Sequence, residues 1–403
     1  MSEQVARLDG MAQGLRRRVL AVACGAHALH DGFTDLLYVL LPLWQAEFGL
    51  GYAEIGMLRA LYAGAMAGFQ LPAGFLAERV GGPLLLAFGT ALAGLGYALA
   101  GVGGSLAALA AALFLGGLGS SVQHPIGANL VAHAFAGRGS RIAIARYNFA
   151  GDLGKMSLPA ATAGLVALMP WRRTTLLLAA LGLVAAGLVL SFGRAAREER
   201  APAVDESERK EAAVSGSGRG FPLLLAIGVI DSATRMGFLT FLPFLLRMKG
   251  APLPLIGTAL TLVFAGGAAG KLVCGWLGER LGVIPAVFLT EGMTAAGILL
   301  LLPLPLYAAL AVLPMIGVAL NGTSSVLYGT VPELVPAERR QRAFSLFYTG
   351  AIGAGAVSPM LYGLMSDAAG VPRMMSLIAG IVLLTLPLAW SLRPALDRPL
   401  AAE

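Results

Sequence analysis

The sequence predicts an all-α integral membrane protein of twelve transmembrane helices, arranged as two pseudo-symmetric six-helix halves. Three observations predict it: long apolar runs with little charge, one polar linker near the middle, and an internal repeat. Of 403 residues, 57% are hydrophobic and 13% charged, against about 25% charged in an ordinary soluble domain. So little charge cannot cover a water-facing surface of this size. The apolar runs recur along the whole chain, and many exceed the roughly 20 residues that cross a bilayer as a helix. They are rich in Leu, Ala and Gly and do not alternate, which selects helices over barrel strands.

The spans fall at 19–44, 52–77, 82–103, 105–135, 142–169, 172–193, 221–246, 253–277, 282–303, 305–331, 342–367 and 371–392. Between 194 and 220 the chain turns charged and then Ser/Gly-rich through Ser215, Gly216, Ser217 and Gly218. This stretch is read as a cytoplasmic linker. It divides an N-terminal half, 1–193, from a C-terminal half, 221–403.

Orientation follows from Lys and Arg. With the N-terminus in the cytoplasm, 19 of the 29 basic residues fall in cytoplasmic segments, five lie outside and five within spans. An even number of spans returns the C-terminus to the cytoplasm. Arg172 and Arg173 are the local violation. The net charge of +7 therefore reports topology, and no nucleic-acid partner is expected. Arg16, Arg17 and Arg18 lead into an apolar run too long for a cleavable signal. Cys24 and Cys274 lie inside apolar runs and indicate neither a disulfide framework nor a metal site.

The halves repeat at an offset of 201 residues: Gly56, Gly74, Glu78, Arg79 and Gly81 correspond to Gly257, Gly275, Glu279, Arg280 and Gly282. Pro42 pairs with Pro243, Gly116 with Gly317, Arg141 with Arg342, and Tyr147 with Tyr348. Two parallel repeats of this kind are expected to face each other, with a solute site near the midplane.

Charges inside spans are expensive, so each is a candidate for function. Ten are found: Asp31, Asp35, Arg59, Arg146, Asp152, Lys155, Asp231, Arg235, Lys271 and Glu291. Five are acidic and five basic, so mutual neutralisation is the first alternative. His27, Asp31 and Asp35, four residues apart, share one stripe of the first span, widened by Thr34 and Tyr38. Two carboxylates at this spacing cannot both ionise cheaply in a dry site, which suits a proton carrier. His27 or His30 would share that proton. The plainer reading is a hydrated polar stripe.

His124 stands beside Pro125, which frees a carbonyl one turn back. It would act as solute ligand or proton relay, or else satisfy the broken turn. Asp152 and Lys155 are spaced to pair on one face, and Lys155 is also a solute-contact candidate. Arg146 can snorkel to the cytoplasmic end. Asp231 and Arg235 are spaced to pair four apart, and Asp231 is the repeat partner of His30. Arg59 and Lys271 have no local acid and would suit an anionic solute. Glu291 receives no role. The Gly-rich stretches suit close helix approach. No phosphate-cradling loop, metal-ligand cluster or nucleophile–base pair stands out, so no cofactor and no enzyme activity are expected.

The stretch Gly74-Phe-Leu-Ala-Glu78-Arg79-Val-Gly81 and its copy Gly275-Trp-Leu-Gly-Glu279-Arg280-Leu-Gly282 resemble the signature loop of the major facilitator superfamily, with Glu where Asp is usual. The resemblance implies that fold over nearly the whole chain, with the two loops on the cytoplasmic side. They would stabilise the outward-facing state through contacts between helix ends. A narrower resemblance, to fosmidomycin-resistance-type efflux proteins, rests on His27-Ala-Leu-His30-Asp31, Leu41-Pro42-Leu-Trp-Gln-Ala-Glu-Phe48, Ile55-Gly56-Met57 and Gly119-Ser120-Ser121-Val122-Gln123-His124-Pro125. Asp35, Arg146, Asp152 and Lys155 depart from that pattern. The resemblance implies proton-coupled efflux, by antiport, of a small drug or metabolite across a bacterial inner membrane, with the proton gradient as energy source. A monomer is expected as the working unit. The interior bases motivate an alternative, a proton symporter importing an organic anion.

Overall fold

Apolar runs broken by Gly and Pro become helices wherever the run is long enough to satisfy its own backbone. The computed structural model describes residues 2–135, 140–198, 220–336 and 339–396. The predicted linker residues 199–219 lie outside the described residues.

In chain order the helices are α1 (Ser2–Asp35), α2 (Leu37–Phe48), α3 (Tyr52–Val80), α4 (Gly82–Val102), α5 (Leu106–Ser120), α6 (Gln123–Ala134), α7 (Ser140–Leu168), α8 (Trp171–Glu198), α9 (Gly220–Met248), α10 (Leu253–Leu281), α11 (Val283–Leu301), α12 (Leu306–Leu334), α13 (Arg340–Ala369), α14 (Val371–Val382) and α15 (Thr385–Leu396). They form the twelve predicted crossings, because α1–α2, α5–α6 and α14–α15 each make one broken crossing. Ten crossings are long and apolar enough to span a membrane. The remaining two are the first and the fifth, which carry the polar stripe and the Asp152–Lys155 segment.

Two of the breaks have a covalent cause. Pro125 has no N–H to give the carbonyl of Ser121, and α5 ends at Ser120. Pro387 does the same to Leu383, where α14 gives way to α15. The break at Leu36 has no proline at the matching position.

The repeat is visible in the backbone. α3 and α10 occupy ranges displaced by the predicted 201 residues. Gly81 and Gly282 both take positive φ, 91° and 86°, and close the equivalent turns after α3 and α10. Gly49 and Gly250, at φ 64° and 86°, are likewise equivalent. The N–H of Leu50 reaches the carbonyl of Gln45, as that of Ala251 reaches Leu246. This is the six-residue closure that a left-handed glycine allows at a helix end.

The chain separates into two compact units, residues 1–37 with 61–204 and residues 38–60 with 205–403. In the first, α1 packs on α7, and α4 on α5 and α8. In the second, α12 packs on α10 and α11, and α9 on α13. Small residues set these approaches. A Cβ on Gly96 of α4 would lie 2.8 Å from the Ala112 carbonyl oxygen of α5, and one on Gly270 would lie 2.3 Å from that of Val318.

Helix C-termini take up bases that topology alone leaves odd. Arg172 donates to the Gly103 carbonyl at the end of α4 and lies 4.6 Å from the Trp171 ring. Lys249 donates to the carbonyls of Leu302 and Leu304, at 2.8 and 2.6 Å, just beyond α11. Both satisfy carbonyls that a helix end leaves without a partner.

Candidate functional site

Within the first unit the polar side chains converge on one carboxylate. Asp31 is 6% exposed, as befits a charge kept from lipid. Its Oδ1 faces three imidazoles: His27 Nε2 at 3.4 Å, His30 Nε2 at 3.7 Å and His124 Nε2 at 4.0 Å. Its Oδ2 faces the Lys155 ammonium at 3.3 Å.

Local sequence explains each approach. His27 and Asp31 are one helical turn apart on α1. His124 opens α6, directly after the break that Pro125 causes. Lys155 comes from α7, which lies against α1 because it presents bare backbone there. A Cβ on Gly154 would sit 1.9 Å from the Ala28 carbonyl oxygen. One on Gly151 would sit 2.6 Å from Asp31 Oδ2 and 2.9 Å from His27 Nε2. Lys155 was expected to pair with Asp152; its close partner is Asp31, while Asp35 and Asp152 remain within electrostatic reach of it.

The tautomer of His27 is fixed by its other nitrogen. Nδ1 lies 2.8 Å from the backbone carbonyl oxygen of Tyr147. A carbonyl only accepts, so Nδ1 carries the hydrogen. Neutral His27 then turns the lone pair of Nε2 toward an ionised Asp31 oxygen, lone pair against lone pair. A proton on either partner converts that contact into an attraction. Tyr147 also stacks on the His27 ring, with centroids 4.1 Å apart.

Exposure divides the cluster into an inner and an outer part. His27, His30, Asp35 and Asp152 are all buried, whereas the side chains of His124 and Lys155 are 46% and 31% exposed. Ligand atoms of His27, Asp31 and His124 lie within 4.8 Å of one another, close enough to share a small cation. Lys155 already brings one positive charge to the same carboxylate.

A hydrogen-bonded chain leads away from the cluster. The Thr34 hydroxyl donates to the His30 carbonyl at 3.0 Å and lies 3.4 Å from the Tyr62 hydroxyl, which in turn lies 2.7 Å from Ser120 Oγ. Gln123 Nε2 donates to the Tyr147 hydroxyl at 3.4 Å. Tyr62, Gln123, Tyr147 and Gly151 were not picked out as site residues from sequence. Tyr147 had a signal in the repeat, and Gln123 in the span-4 motif; Tyr62 had none.

In the second unit the candidates form separate groups. Buried Arg59 donates to the Tyr38 hydroxyl at 3.2 Å and lies 5.1 Å from its ring centroid, and Tyr38 reaches Met236 Sδ at 3.6 Å. Arg235 Nη2 lies 3.6 Å from Asp231 Oδ2, the predicted one-turn pair. Lys271 is half-buried on α10. The first copy of the repeated loop motif belongs to the first unit, where Gly74 has open space around it and Glu78 and Arg79 are exposed at the end of α3. Arg280 lies 4.9 Å from the Trp276 ring. The side-chain positions of Gly275 and Glu279 lie outside the described residues.

Known proteins bear out the fold. A family profile for the Major Facilitator Superfamily matches residues 23–227 and 224–402. The chain is 24% identical over 407 residues to the fosmidomycin resistance protein of Escherichia coli (strain K12), covering 95% of this chain and 96% of that one. It also superimposes on a bacterial homologue of the human lysosomal transporter Spinster. The inward-facing, occupied form gives a TM-score of 0.81 at 16% identity, over 96% of this chain and 99% of that one. The unoccupied form gives 0.78 over the same shares. With the profile matched along nearly its whole length, the chain belongs to the Major Facilitator Superfamily, a family of multi-pass membrane transporters and not of enzymes.

Proposed function

We propose that this chain is a proton-coupled secondary transporter that exports a small drug or metabolite by alternating access, with Asp31 and its histidines as the proton-coupling site. The contact between His27 Nε2 and Asp31 Oδ1, 3.4 Å apart with Nδ1 committed to the Tyr147 carbonyl, carries this reading. It is a buried place where a proton relieves a repulsion between lone pairs. Lys155 holds the opposite oxygen. A proton arriving at Asp31 neutralises the carboxylate and frees the ammonium; a departing proton restores the ion pair. Competition between proton and ammonium for one carboxylate makes occupancy by one exclude the other.

The solute would be met by His124, Lys155 and Asp152, and by Arg59, Tyr38, Asp231, Arg235 and Lys271, with Asp35 tuning the charge near Lys155. The bases favour an anionic solute. The energy source is the proton gradient, and no cofactor is needed. The similarity to a protein named for fosmidomycin resistance supports export. We place the chain, as a monomer, in the bacterial inner membrane with both termini cytoplasmic. The Lys and Arg bias supports this, and Arg172 and Lys249 on the other side are engaged at helix ends. The loop motifs around Glu78–Arg79 and Glu279–Arg280 would then hold the cytoplasmic helix ends in the outward-facing state.

The test is proton flux from purified protein in liposomes holding a pH-reporting dye, with phosphonates, organic anions and amphipathic cations added in turn. Proton movement opposite to the solute supports export by antiport. Movement in the same direction replaces it with the symport of an organic anion, the reading that the interior bases also favour.

A further inference from the structure

Glu291 has no part in the cluster around Asp31. It is 1% exposed, midway along the otherwise uncharged helix α11. Side chains from two other helices reach it. From α9 come Asp231, 3% exposed, and Arg235, 3.6 Å from Asp231. From α12 comes the hydroxyl of Thr323, and the Glu291 carboxyl meets the Asp231 carboxyl directly. Tyr328, on α12, stands near Asp231 and Arg235, and its ring lies 4.7 Å from that of Tyr348 on α13. Among the described residues, no N–H or O–H group donates to Glu291 Oε1.

Two carboxyls therefore share one guanidinium. If both ionise, the group keeps a net negative charge in an apolar interior, which strongly disfavours the unpaired ion. Two ionised carboxylates also cannot hydrogen-bond each other, since each offers only acceptors. One proton removes both problems. It balances Arg235 against a single anion and turns the carboxyl contact into a charge-assisted O–H···O bond.

The repeat relates this carboxyl pair to the first unit. The offset of 201 places Asp231 on His30 and Glu291 on Thr90. His30 and Thr90 line one crevice of the first unit, together with Ser120, Val122 and Gln123. Thr323 falls on Val122 of the same crevice. The carboxyl pair thus occupies, in the second repeat, the position that lies beside the Asp31 cluster in the first.

We propose that Asp231 and Glu291 form a second proton-binding site. Glu291 holds the proton and donates it in a hydrogen bond to Asp231, and Arg235 is the positioning cation that keeps Asp231 ionised. Loading takes one proton from water onto the Glu291 carboxylate, and unloading returns it, with no other bond changed. The Arg235 side chain, 19% exposed, is the member that solvent or a solute reaches. A solute anion that draws Arg235 from Asp231 alters the charge balance that holds the proton. The role of this site in transport rests on the proton-coupled reading above; the binding of the proton does not.

Infrared spectroscopy of the full chain in lipid at neutral pH, in H2O and D2O, tests the site. The proposal predicts a carbonyl stretch from a protonated carboxyl that shifts in D2O, persists in Asp31→Asn and is lost in Glu291→Gln. Asp231→Asn leaves Glu291 alone with Arg235, and the same band should be lost as Glu291 ionises. The second variant keeps the test open should the first fail to fold. A band unchanged in both variants would overturn the proposal. In liposomes, Glu291→Gln should transport with one proton fewer per solute. An unchanged ratio, with the infrared result as predicted, would make the pair a static one and remove it from transport.

Discussion

Lys155 Nζ and Asp31 Oδ2 lie 3.3 Å apart, an ion pair that joins the fifth crossing to the first. Asp31 is buried, so removing the lysine alone strands a charge. Breaking a buried pair costs about 3–5 kcal/mol, and partial exposure of Lys155 points to the lower end. Lys155→Met should therefore lower stability by about 3 kcal/mol, and adding Asp31→Asn should restore most of that. Thermal unfolding of the two singles and the double in detergent reads the coupling. Additive effects would mean that the pair contributes nothing.

The close approach of α7 to α1 depends on glycine. Gly154→Ala would bring a Cβ to 1.9 Å from the Ala28 carbonyl oxygen. Overpacking of this kind costs about 1–3 kcal/mol, and it should also part Lys155 from Asp31. At Gly164, on the same helix, an added methyl group would meet nothing within 4 Å. Gly164→Ala should be neutral or stabilise by up to about 1 kcal/mol. Unfolding temperatures of the two variants, side by side, check the contrast.

The sequence made the crossings, the repeat and the Asp31 stripe legible, because each is a periodic pattern. The positive-φ glycines at 81 and 282 were visible as a duplicated motif. The partner of Lys155 was not. Spacing proposes Asp152, on the same helix, whereas the contact with Asp31 depends on Gly151 and Gly154 admitting α1. Tyr147 acts through its backbone carbonyl as well as its ring, and a carbonyl leaves no trace in residue identity. Glu291 could be flagged as a buried charge, but its neighbour Asp231 lies on a helix sixty residues away in the chain.

Asp367 accepts hydrogen bonds from the N–H groups of Tyr52 and Ala53, at 2.7 and 2.8 Å, and so caps α3 from the end of α13. Loss of such a cap typically costs about 1 kcal/mol. Asp367→Ala should speed amide hydrogen exchange over residues 52–55 while leaving α7 unchanged. Equal exchange in both proteins would show that Glu54, which accepts from the Gly51 N–H at 2.8 Å, holds the helix start alone.

The Tyr62 hydroxyl lies 2.7 Å from Ser120 Oγ and 3.4 Å from Thr34 Oγ1. Tyr62→Phe leaves two hydroxyls short of a partner and should cost about 1 kcal/mol. If this chain supplies protons to the cluster, the variant will also slow solute-driven proton flux while leaving solute binding intact. Calorimetric binding and dye-reported flux, taken together, separate the two effects.

The most direct test of Asp31 as the coupling residue is the proton-driven transport rate of Asp31→Asn in liposomes. The substitution keeps the shape of the side chain and removes the charge that His27, His30, His124 and Lys155 surround. The variant should fold and bind solute but no longer move protons with it. A proton-driven rate equal to that of the unaltered chain would contradict the assignment.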